Sequence, residues 1–369
     1  MPENTIRFAW RESRPAEGFE TGVSLHGHTM HSVECLDFLP RHLHMAPGIS
    51  QIVSYYERVR GVDFARAWWT PPLSPASALD LEREQIAKLG LRPLVSITDH
   101  DDIQAGQALG ITADPSDTPL SVEWTVPYER TILHLGIHNI PRGVGRTWME
   151  VMSQHTARPD ASALPGLLEE FSRVPDVLIV LNHPFWLEEG ILESDHRPAL
   201  ERAIRECAAW FDAIELNGTR PWKENSRAIE LARSLERPLI SGGDRHCCEP
   251  SACINLTSAR TFSEFVSEIH SGVSSILFQP QYREPMAQRV LEAARDILRT
   301  YPEYPGRERW SDRIFYRGED GVARTVAQIC KGREPRIVST GVAAVHFIAG
   351  AGLRPALRML FAALGEQHP

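Results

Sequence analysis

The pair His26-Gly-His28 is the first feature of this sequence that could do chemistry. Side-chain direction repeats every second residue in an extended chain, so both imidazoles are expected on one side of a strand end. A neutral imidazole nitrogen is a good ligand for zinc, manganese or iron. The pair alone indicates a metal site only weakly, because a single histidine is more often a hydrogen-bonded core residue.

Further histidines and carboxylates recur at the ends of short apolar segments. They are Asp99-His100 after VSIT, Glu123 in SVEW, His134 in ILHLGIH, Asn182-His183 after VLIVL, Glu215 and Asn217 in AIELN, and Asp244 and His246 after LISGG. In a parallel barrel the carboxyl ends of the strands meet at one rim, where active sites are found. Mixed His, Asp and Glu ligation without cysteine suits two or three divalent ions that share a carboxylate.

The elements that must position these residues alternate along the chain. The candidate strands are 22–25, 94–98, 132–137, 177–181, 213–216 and 238–241, and the helical patterns between them are 76–89, 163–172, 197–210 and 224–235. Most of these strands are near-continuous apolar runs, which is typical of strands buried on both faces. The repeated order predicts a parallel α/β barrel or an open doubly wound sheet.

Two segments do not fit this repeat. Residues 40–74 form a long insertion after the first strand, rich in aromatic residues, which could be a lid or could pack over the barrel mouth. Residues 285–369 follow the last motif and contain a charged helix at 287–300 and an apolar helix at 353–364. We expect a helical extension that packs on the barrel or at a subunit contact, which leaves a homo-oligomer open.

Composition narrows the class of partner. The 369 residues carry a net charge of −9 and no long basic run, so nucleic acid is not an expected partner. The six cysteines show no C-x-x-C spacing and predict neither a disulfide scaffold nor a zinc ribbon. No apolar stretch resembles a signal peptide or reaches the ~20 residues of a membrane span, so we expect no membrane partner and a cytoplasmic location.

The ordered motifs HGHTMHS, ITDHDD, VEW…HLGIH, LNHP, ELNG and GGDRH resemble the PHP (polymerase and histidinol phosphatase) superfamily over roughly residues 20–250. That family has a distorted (β/α)7 TIM-like barrel with a trinuclear metal site. The resemblance therefore implies such a barrel over residues 20–284, interrupted by the 40–74 insertion. The family includes histidinol and nucleotide phosphatases and a proofreading-type domain of bacterial polymerases.

The resemblance also implies three groups of metal ligands. These are His26, His28, Glu123 and Asp244 for the first ion; Glu123 as a bridge, His134 and His183 for the second; and His100 and His246 for the third. The remaining ligand of the third ion is usually an Asp or His shortly after the first motif. Here Ser32 fits the pattern but Val33 and Glu34 follow it. We expect Glu34 to supply the oxygen, with His31 and Asp37 as alternatives.

Candidate substrate contacts are fewer. Arg220 resembles the phosphate-gripping arginine of some family members, with a surface salt bridge as the alternative. Arg245 could neutralise a phosphate, although alternation along an extended segment would point it away from its neighbouring ligands. His138 could donate a proton to the leaving group or could orient a metal ligand. Aromatic residues beside the expected ligands, Trp186 among them, could stack on a nucleobase or belong to the core.

The resulting hypothesis is a metal-dependent phosphoesterase that uses two or three ions of Mn, Fe or Zn. Its substrate would be a small phosphomonoester or nucleotide phosphate, attacked by a metal-bridged hydroxide. The same chemistry on an amide or lactone, and a non-catalytic binding module that has kept the barrel, remain alternatives. The loops that would select a substrate carry no readable motif.

Overall fold

Two mixed five-stranded β-sheets form the centre of the protein. The computed structural model describes residues 2–36, 47–188, 190–333, 335–350 and 352–362. The first sheet has the order β1-β12-β11-β2-β5, made of β1 (Glu3–Phe8), β12 (Val273–Phe278), β11 (Cys253–Thr257), β2 (Thr21–Ser24) and β5 (Arg92–Val95). Strand β11 runs antiparallel to both of its neighbours, whereas β1–β12 and β2–β5 are parallel pairs.

The second sheet contains the five strands that lie between β5 and β11 along the chain. Its order is β10-β9-β8-β7-β6, made of β10 (Leu239–Gly242), β9 (Ala213–Asn217), β8 (Leu178–Asn182), β7 (Thr131–His138) and β6 (Val122–Tyr128). Strands β8, β9 and β10 are parallel, and β7 is antiparallel to β6 and β8. Only Glu129 and Arg130 separate β6 from β7, and so short a connection can join only antiparallel strands.

The α/β class is therefore confirmed, and each predicted strand is present within a few residues. The expectation of purely parallel strands is wrong, because of the β6–β7 hairpin and of β11. Isolated backbone bridges join the two sheets at Gly27–Arg245 and at His100–Glu123. Within the described residues these bridges, and not a continuous ladder, connect the sheets. The second bridge joins two expected metal ligands, and the first joins residues that lie between expected ligands in the chain.

Helices pack on the central sheets and, in the insertion and the C-terminal region, on one another. They span Pro47–Arg60, Pro75–Lys88, Gln104–Thr112, Gly145–Ala157, Leu164–Ser172, Glu193–Cys207, Trp222–Leu235, Phe262–His270, Met286–Leu298, Val326–Ile329, Arg336–Ile348 and Arg354–Ala362. Helix Pro75–Lys88 begins where the Ser74 hydroxyl accepts from the Ser77 amide and Pro75 takes the first helical position. The four internal helices predicted from the sequence are confirmed; the predicted end of the last helix, at 363–364, lies outside the described residues.

The insertion and the C-terminal region share a small sheet of their own. Its order is β14-β13-β4-β3, made of β14 (Ala323–Thr325), β13 (Ile314–Arg317), β4 (Ala67–Trp69) and β3 (Glu34–Cys35). Residues 40–46 of the insertion lie outside the described residues. In the described part, Tyr56 and Val62 pack with Trp310, Cys330 and Val338 in one apolar cluster. The two segments that did not fit the sequence repeat thus pack on each other.

No helix among the described residues combines the length and the apolar character that crossing a membrane requires.

Candidate metal centre

The expected ligands converge where β2, β5, β8 and β10 end. Three of them, His26, His183 and Asp244, have positive backbone φ values of 60°, 24° and 47°. Each lies at or just after the end of its strand, where the chain turns. A non-glycine residue in this conformation costs on the order of 1–3 kcal/mol, and such residues concentrate at functional sites. Three of the predicted metal ligands thus have a strained backbone conformation in the folded chain.

Glu123 is the residue around which the others gather. It is fully buried, as the second residue of β6 rather than at a strand end. Its Oε2 lies 2.8 Å from Nε2 of His26, 3.3 Å from Nε2 of His28 and 3.4 Å from Nε2 of His100. One carboxylate oxygen is thus within reach of three imidazoles from two different strand ends.

The other carboxylate oxygen of Glu123 faces the second sheet. Its Oε1 lies 3.1 Å from Nε2 of His183 and 3.5 Å from Nδ1 of His134. The Asn182 amide donates to the same oxygen at 3.0 Å. Glu123 therefore has the contacts expected of a bridging carboxylate, with different histidines on its two oxygens.

Asp244 closes the cluster from the end of β10. Its Oδ1 lies 3.5 Å from Nε2 of His28 and 3.7 Å from Nε2 of His26. Its Oδ2 accepts from the Thr219 hydroxyl at 2.8 Å and from Nη2 of Arg220 at 3.0 Å. One oxygen is thus held by donors while the other faces the imidazoles.

Glu34 joins the cluster from β3. Its Oε1 lies 3.3 Å from Nε2 of His246 and its Oε2 lies 3.8 Å from Nε2 of His100. The Ser32 hydroxyl donates to Oε1 at 2.7 Å. Of the two alternatives to Glu34, His31 is in none of the groups able to hold an ion among the described residues, and Asp37 lies outside them.

These side chains form overlapping groups, and within each group the ligand atoms lie within 4.8 Å of one another. The groups are His28, Glu34, His100 and His246; His26, His183 and Asp244; His26, His28 and Glu123; and His100, Glu123 and His134. Buried nitrogens of His28 (Nε2), His100 (Nδ1) and His134 (Nδ1) have no hydrogen-bond partner in the described structure. Burying a polar nitrogen without a partner is costly, and a divalent cation would satisfy it. The donor set fits Mn, Fe or Zn.

Charge in the cluster is arranged to hold a cation. Burial would raise the pKa of Glu123, but His26, His100 and His134 together hold it well below its ordinary value. Burial would likewise raise the pKa of Asp244, and the neighbouring Arg220 and His26 outweigh it, so this pKa is also well below normal. Burial, reinforced by His246, lowers the pKa of His28 to about 3. The carboxylates are thus ionised and the His28 ring is neutral, which are the forms that bind metals. Against the effect of burial, the carboxylates of the cluster raise the pKa values of His26, His100 and His246, so binding an ion there would release protons.

Glu215 was noted in the sequence as a strand-end carboxylate but was given no role. Its Oε1 lies 2.5 Å from Nδ1 of His26, and its Oε2 accepts from the His183 amide at 2.8 Å. A Cβ on Gly242 would lie 1.6 Å from Glu215 Oε1, so only glycine leaves room for this carboxylate. The available signal was a lone acidic residue inside the apolar segment AIELN.

Arg245, predicted from the sequence as a contact for a phosphate, lies in a buried ion pair in the structure. Its Nε lies 2.9 Å from Glu82 Oε1, and its Nη1 donates to the Cys247 carbonyl at 3.1 Å. The side chains of Arg245 and Glu82 are only 3% and 2% exposed. The guanidinium is therefore part of a buried ion pair with Glu82.

His138 was predicted either to donate a proton to the leaving group or to orient a metal ligand. Its ring is buried, and the Ser96 hydroxyl, which donates to Ser121, lies 2.8 Å from Nδ1 of His138. Burial lowers the pKa of His138 to about 3, so the ring carries no dissociable imidazolium proton near neutral pH. Arg220, by contrast, lies at the cluster, where it contacts Asp244 and stacks 3.7 Å above the Trp186 ring.

Comparison with known proteins gives a resemblance of fold. No protein-family model matches the sequence, and no match is found among curated proteins. Similar solved structures include PsfC from Pseudomonas syringae (16% identity, 71% of this chain and 93% of that one, TM-score 0.41). A two-domain protein from Bacteroides vulgatus, described as containing a predicted PHP-like metal-dependent phosphoesterase, is also similar (12% identity, 72% of this chain and 66% of that one, TM-score 0.43).

An amidohydrolase from Chromobacterium violaceum is a further similar structure (15% identity, 48% of this chain and 84% of that one, TM-score 0.35). All three TM-scores lie below 0.5, so the function proposed below rests on the side chains of this chain.

Proposed function

We propose that this protein is a metal-dependent phosphoesterase that hydrolyses a small phosphomonoester or nucleotide phosphate. The observation that carries the proposal is the position of Glu123, whose two oxygens face different groups of histidines at 2.8–3.5 Å. A buried carboxylate with imidazoles on both oxygens is suited to bridging two divalent ions. Such ions, when bound, would act as Lewis acids on a phosphoryl group and lower the pKa of a water.

We assign the ligands of the cluster to three metal ions. The first ion would be held by His26, His28, Glu123 and Asp244; the second by Glu123, His134 and His183; and the third by Glu34, His100 and His246. Glu215 fixes the His26 ring by accepting from its Nδ1, so that Nε2 is directed to the cluster.

Arg220 is the residue that favours a phosphate over a neutral substrate. Its guanidinium is only partly exposed and is fixed between Asp244 and the Trp186 ring. Its buried Nε has no hydrogen-bond partner among the described residues. A planar guanidinium with a spare donor binds phosphate oxygens with charge-assisted hydrogen bonds. We therefore propose that Arg220 holds the substrate phosphate.

The test combines metal content with a substrate panel. Protein purified with Mn or Zn is assayed by elemental analysis, and phosphate release is measured from a set of phosphomonoesters and nucleotides. We expect at least two ions per chain, turnover that chelation abolishes, and a loss of at least a thousandfold in Glu123→Ala and Asp244→Ala. Full activity in metal-stripped protein contradicts the mechanism.

The same panel separates the alternatives. Turnover of amides or lactones without release of phosphate from any ester would assign the site to a non-phosphate substrate. Fewer than two ions per chain with no turnover would favour a binding module.

The third ion has its own measurement. Because Glu34 is the carboxylate of the group with His28, His100 and His246, Glu34→Ala is expected to remove one ion per chain. Asp102→Asn, on the same loop as His100 but in none of these groups, is the control and should leave the count unchanged. An unchanged count in Glu34→Ala would exclude Glu34 as a ligand.

A further inference from the structure

A cavity of about 520 Å³ opens directly beside the metal cluster. Its inner wall is the segment after β10, including Asp244 and His246, and its outer wall is helix Met286–Leu298 of the C-terminal region. Pockets that hold small organic molecules typically measure roughly 300–1,000 Å³. If the phosphate of an ester lies at the cluster, the organic part of that ester therefore has room in this cavity, beside helix Met286–Leu298.

The walls of this cavity are mainly apolar. They include Trp186, Pro250, Ala252, Met286, Val290 and Ala293. Two of these side chains are large, apolar and exposed to solvent, with Trp186 at 38% and Val290 at 60% of their surface. Exposed apolar side chains that share one concave surface are typical of a binding site.

Helix Met286–Leu298 gives the second observation. Its sequence, MAQRVLEAARDIL, is strongly amphipathic, yet Gln288 is its one fully buried residue. Part of its apolar face, formed by Met286, Val290 and Ala293, borders the cavity. The helix would gain buried apolar area if an apolar group filled the space.

The charged groups of the cavity disfavour a second anion. The cavity is lined by the carboxylates Glu224, Asp244, Glu249 and Asp296, by the arginines Arg220, Arg245 and Arg289, and by His246. Arg220 contacts Asp244 and is assigned to the substrate phosphate, Arg245 pairs with Glu82, and Arg289 donates to the Gly218 carbonyl, so none of the three arginines is left for a second anion. A polyphosphate or an oligonucleotide would bring uncompensated negative charge toward these carboxylates.

We infer that this cavity binds the organic part of the substrate, and that the substrate is the phosphomonoester of an alcohol carrying an uncharged, apolar ring system. This inference rests on the proposed phosphoesterase function. It makes Val290 and Ala293 specificity-determining residues, which contact the organic group and not the phosphate.

The test compares two esters of primary alcohols, naphthylethyl phosphate and ethyl phosphate, whose leaving groups have similar chemistry. The wild-type enzyme is expected to prefer naphthylethyl phosphate by at least tenfold in kcat/KM. Ala293→Phe, which fills the cavity, and Val290→Asp, at an exposed position that tolerates a polar residue, should each reduce this ratio at least fivefold. Ala287→Phe, on an exposed part of the same helix that does not line the cavity, is the matched control and should keep the ratio.

Binding separates this inference from the proposed function. Calorimetry with naphthylethylphosphonate, which cannot be hydrolysed, should give a Kd at least tenfold lower than that of ethylphosphonate, and Val290→Asp should remove the difference. If no phosphoester is turned over but this difference is present, the proposed function fails and the apolar cavity stands. Equal affinities in the wild type, or an unchanged preference in both cavity variants, would overturn the inference while leaving phosphoester hydrolysis untouched.

Discussion

Glu215 Oε1 lies 2.5 Å from Nδ1 of His26, and both residues are buried. The opposite nitrogen of the same ring, Nε2, lies 2.8 Å from Glu123. Burial would lower the pKa of His26, but Glu123 and Glu215 outweigh it and raise that pKa well above its usual value. A carboxylate behind a histidine fixes the tautomer and the ring orientation, which is how metal-binding histidines are commonly held. Glu215 is accordingly a positioning residue for the cluster.

Glu215→Gln should weaken metal binding. A carboxylate of this kind typically contributes 10–100-fold to metal affinity, and we expect a loss in that range. Titration calorimetry with Mn or Zn measures the change. Glu230→Gln, an exposed residue of helix Trp222–Leu235, is the control and should bind metal as the wild type does. An unaltered affinity in Glu215→Gln would show that the contact with His26 does not position a ligand.

Gly242→Ala should disturb the same contact from the other side. The added Cβ would lie 1.6 Å from Glu215 Oε1, so the carboxylate must move away from His26. We expect at least tenfold weaker metal binding and a loss of about 1–3 kcal/mol in the free energy of unfolding. Gly166→Ala is the matched control, because its Cβ meets no atom within 4 Å and the residue lies in helix Leu164–Ser172. That variant should gain about 0.5–1 kcal/mol.

Arg245→Met should act on stability. It would leave the buried Glu82 carboxyl group without its arginine partner, and removing one partner of a buried ion pair costs about 3–5 kcal/mol in the free energy of unfolding. Chemical denaturation measures this loss, and Glu82→Gln combined with Arg245→Met should recover part of it. The exposed Arg233→Met is the control and should change stability by less than about 0.5 kcal/mol. A stable Arg245→Met enzyme with a raised KM for the phosphoester would restore the phosphate-binding role predicted from the sequence.

Glu249 should make the fold less stable as pH rises. Burial and the neighbouring Glu292 raise the pKa of Glu249 to about 7, whereas an unfolded glutamate titrates near ~4.3. Between these values the folded chain binds more protons than the unfolded chain, so stability falls as pH rises through this window and is constant above it. Glu249→Gln should match the wild type at pH 4 and exceed it by about 1–3 kcal/mol at pH 8. Identical pH profiles of thermal unfolding in the two proteins would contradict the assignment.

Every strand and helix predicted from the sequence is present, because each is marked by a local apolar pattern, but these are six of the fourteen strands and six of the twelve helices that the described residues form. The antiparallel direction of β7 was not predicted, because an apolar run such as ILHLGI carries no information about the direction of its strand. The direction is set by the short connection at Glu129-Arg130, which lacks the Asn-Gly or Asp-Gly signal of a hairpin.

In the site, too, some features were predicted from the sequence and others were not. The candidate ligands were identified by residue type and order, and Glu34 was chosen by its place after Ser32. Its partner strand β4 lies more than thirty residues away, where Glu34 pairs with Trp69. No local pattern could indicate that pairing, or that the insertion and the C-terminal residues would share one sheet.

The sequence by itself therefore determined which side chains could bind metal, since imidazoles and carboxylates at strand ends are a property of residue type and spacing. Only the tertiary structure decided how they are used. It placed Glu123 between two groups of histidines, Glu215 behind His26, and Arg245 in an ion pair with Glu82. The physical reason is that each of these contacts joins residues far apart in the chain, and their distances are fixed by the packing of two sheets.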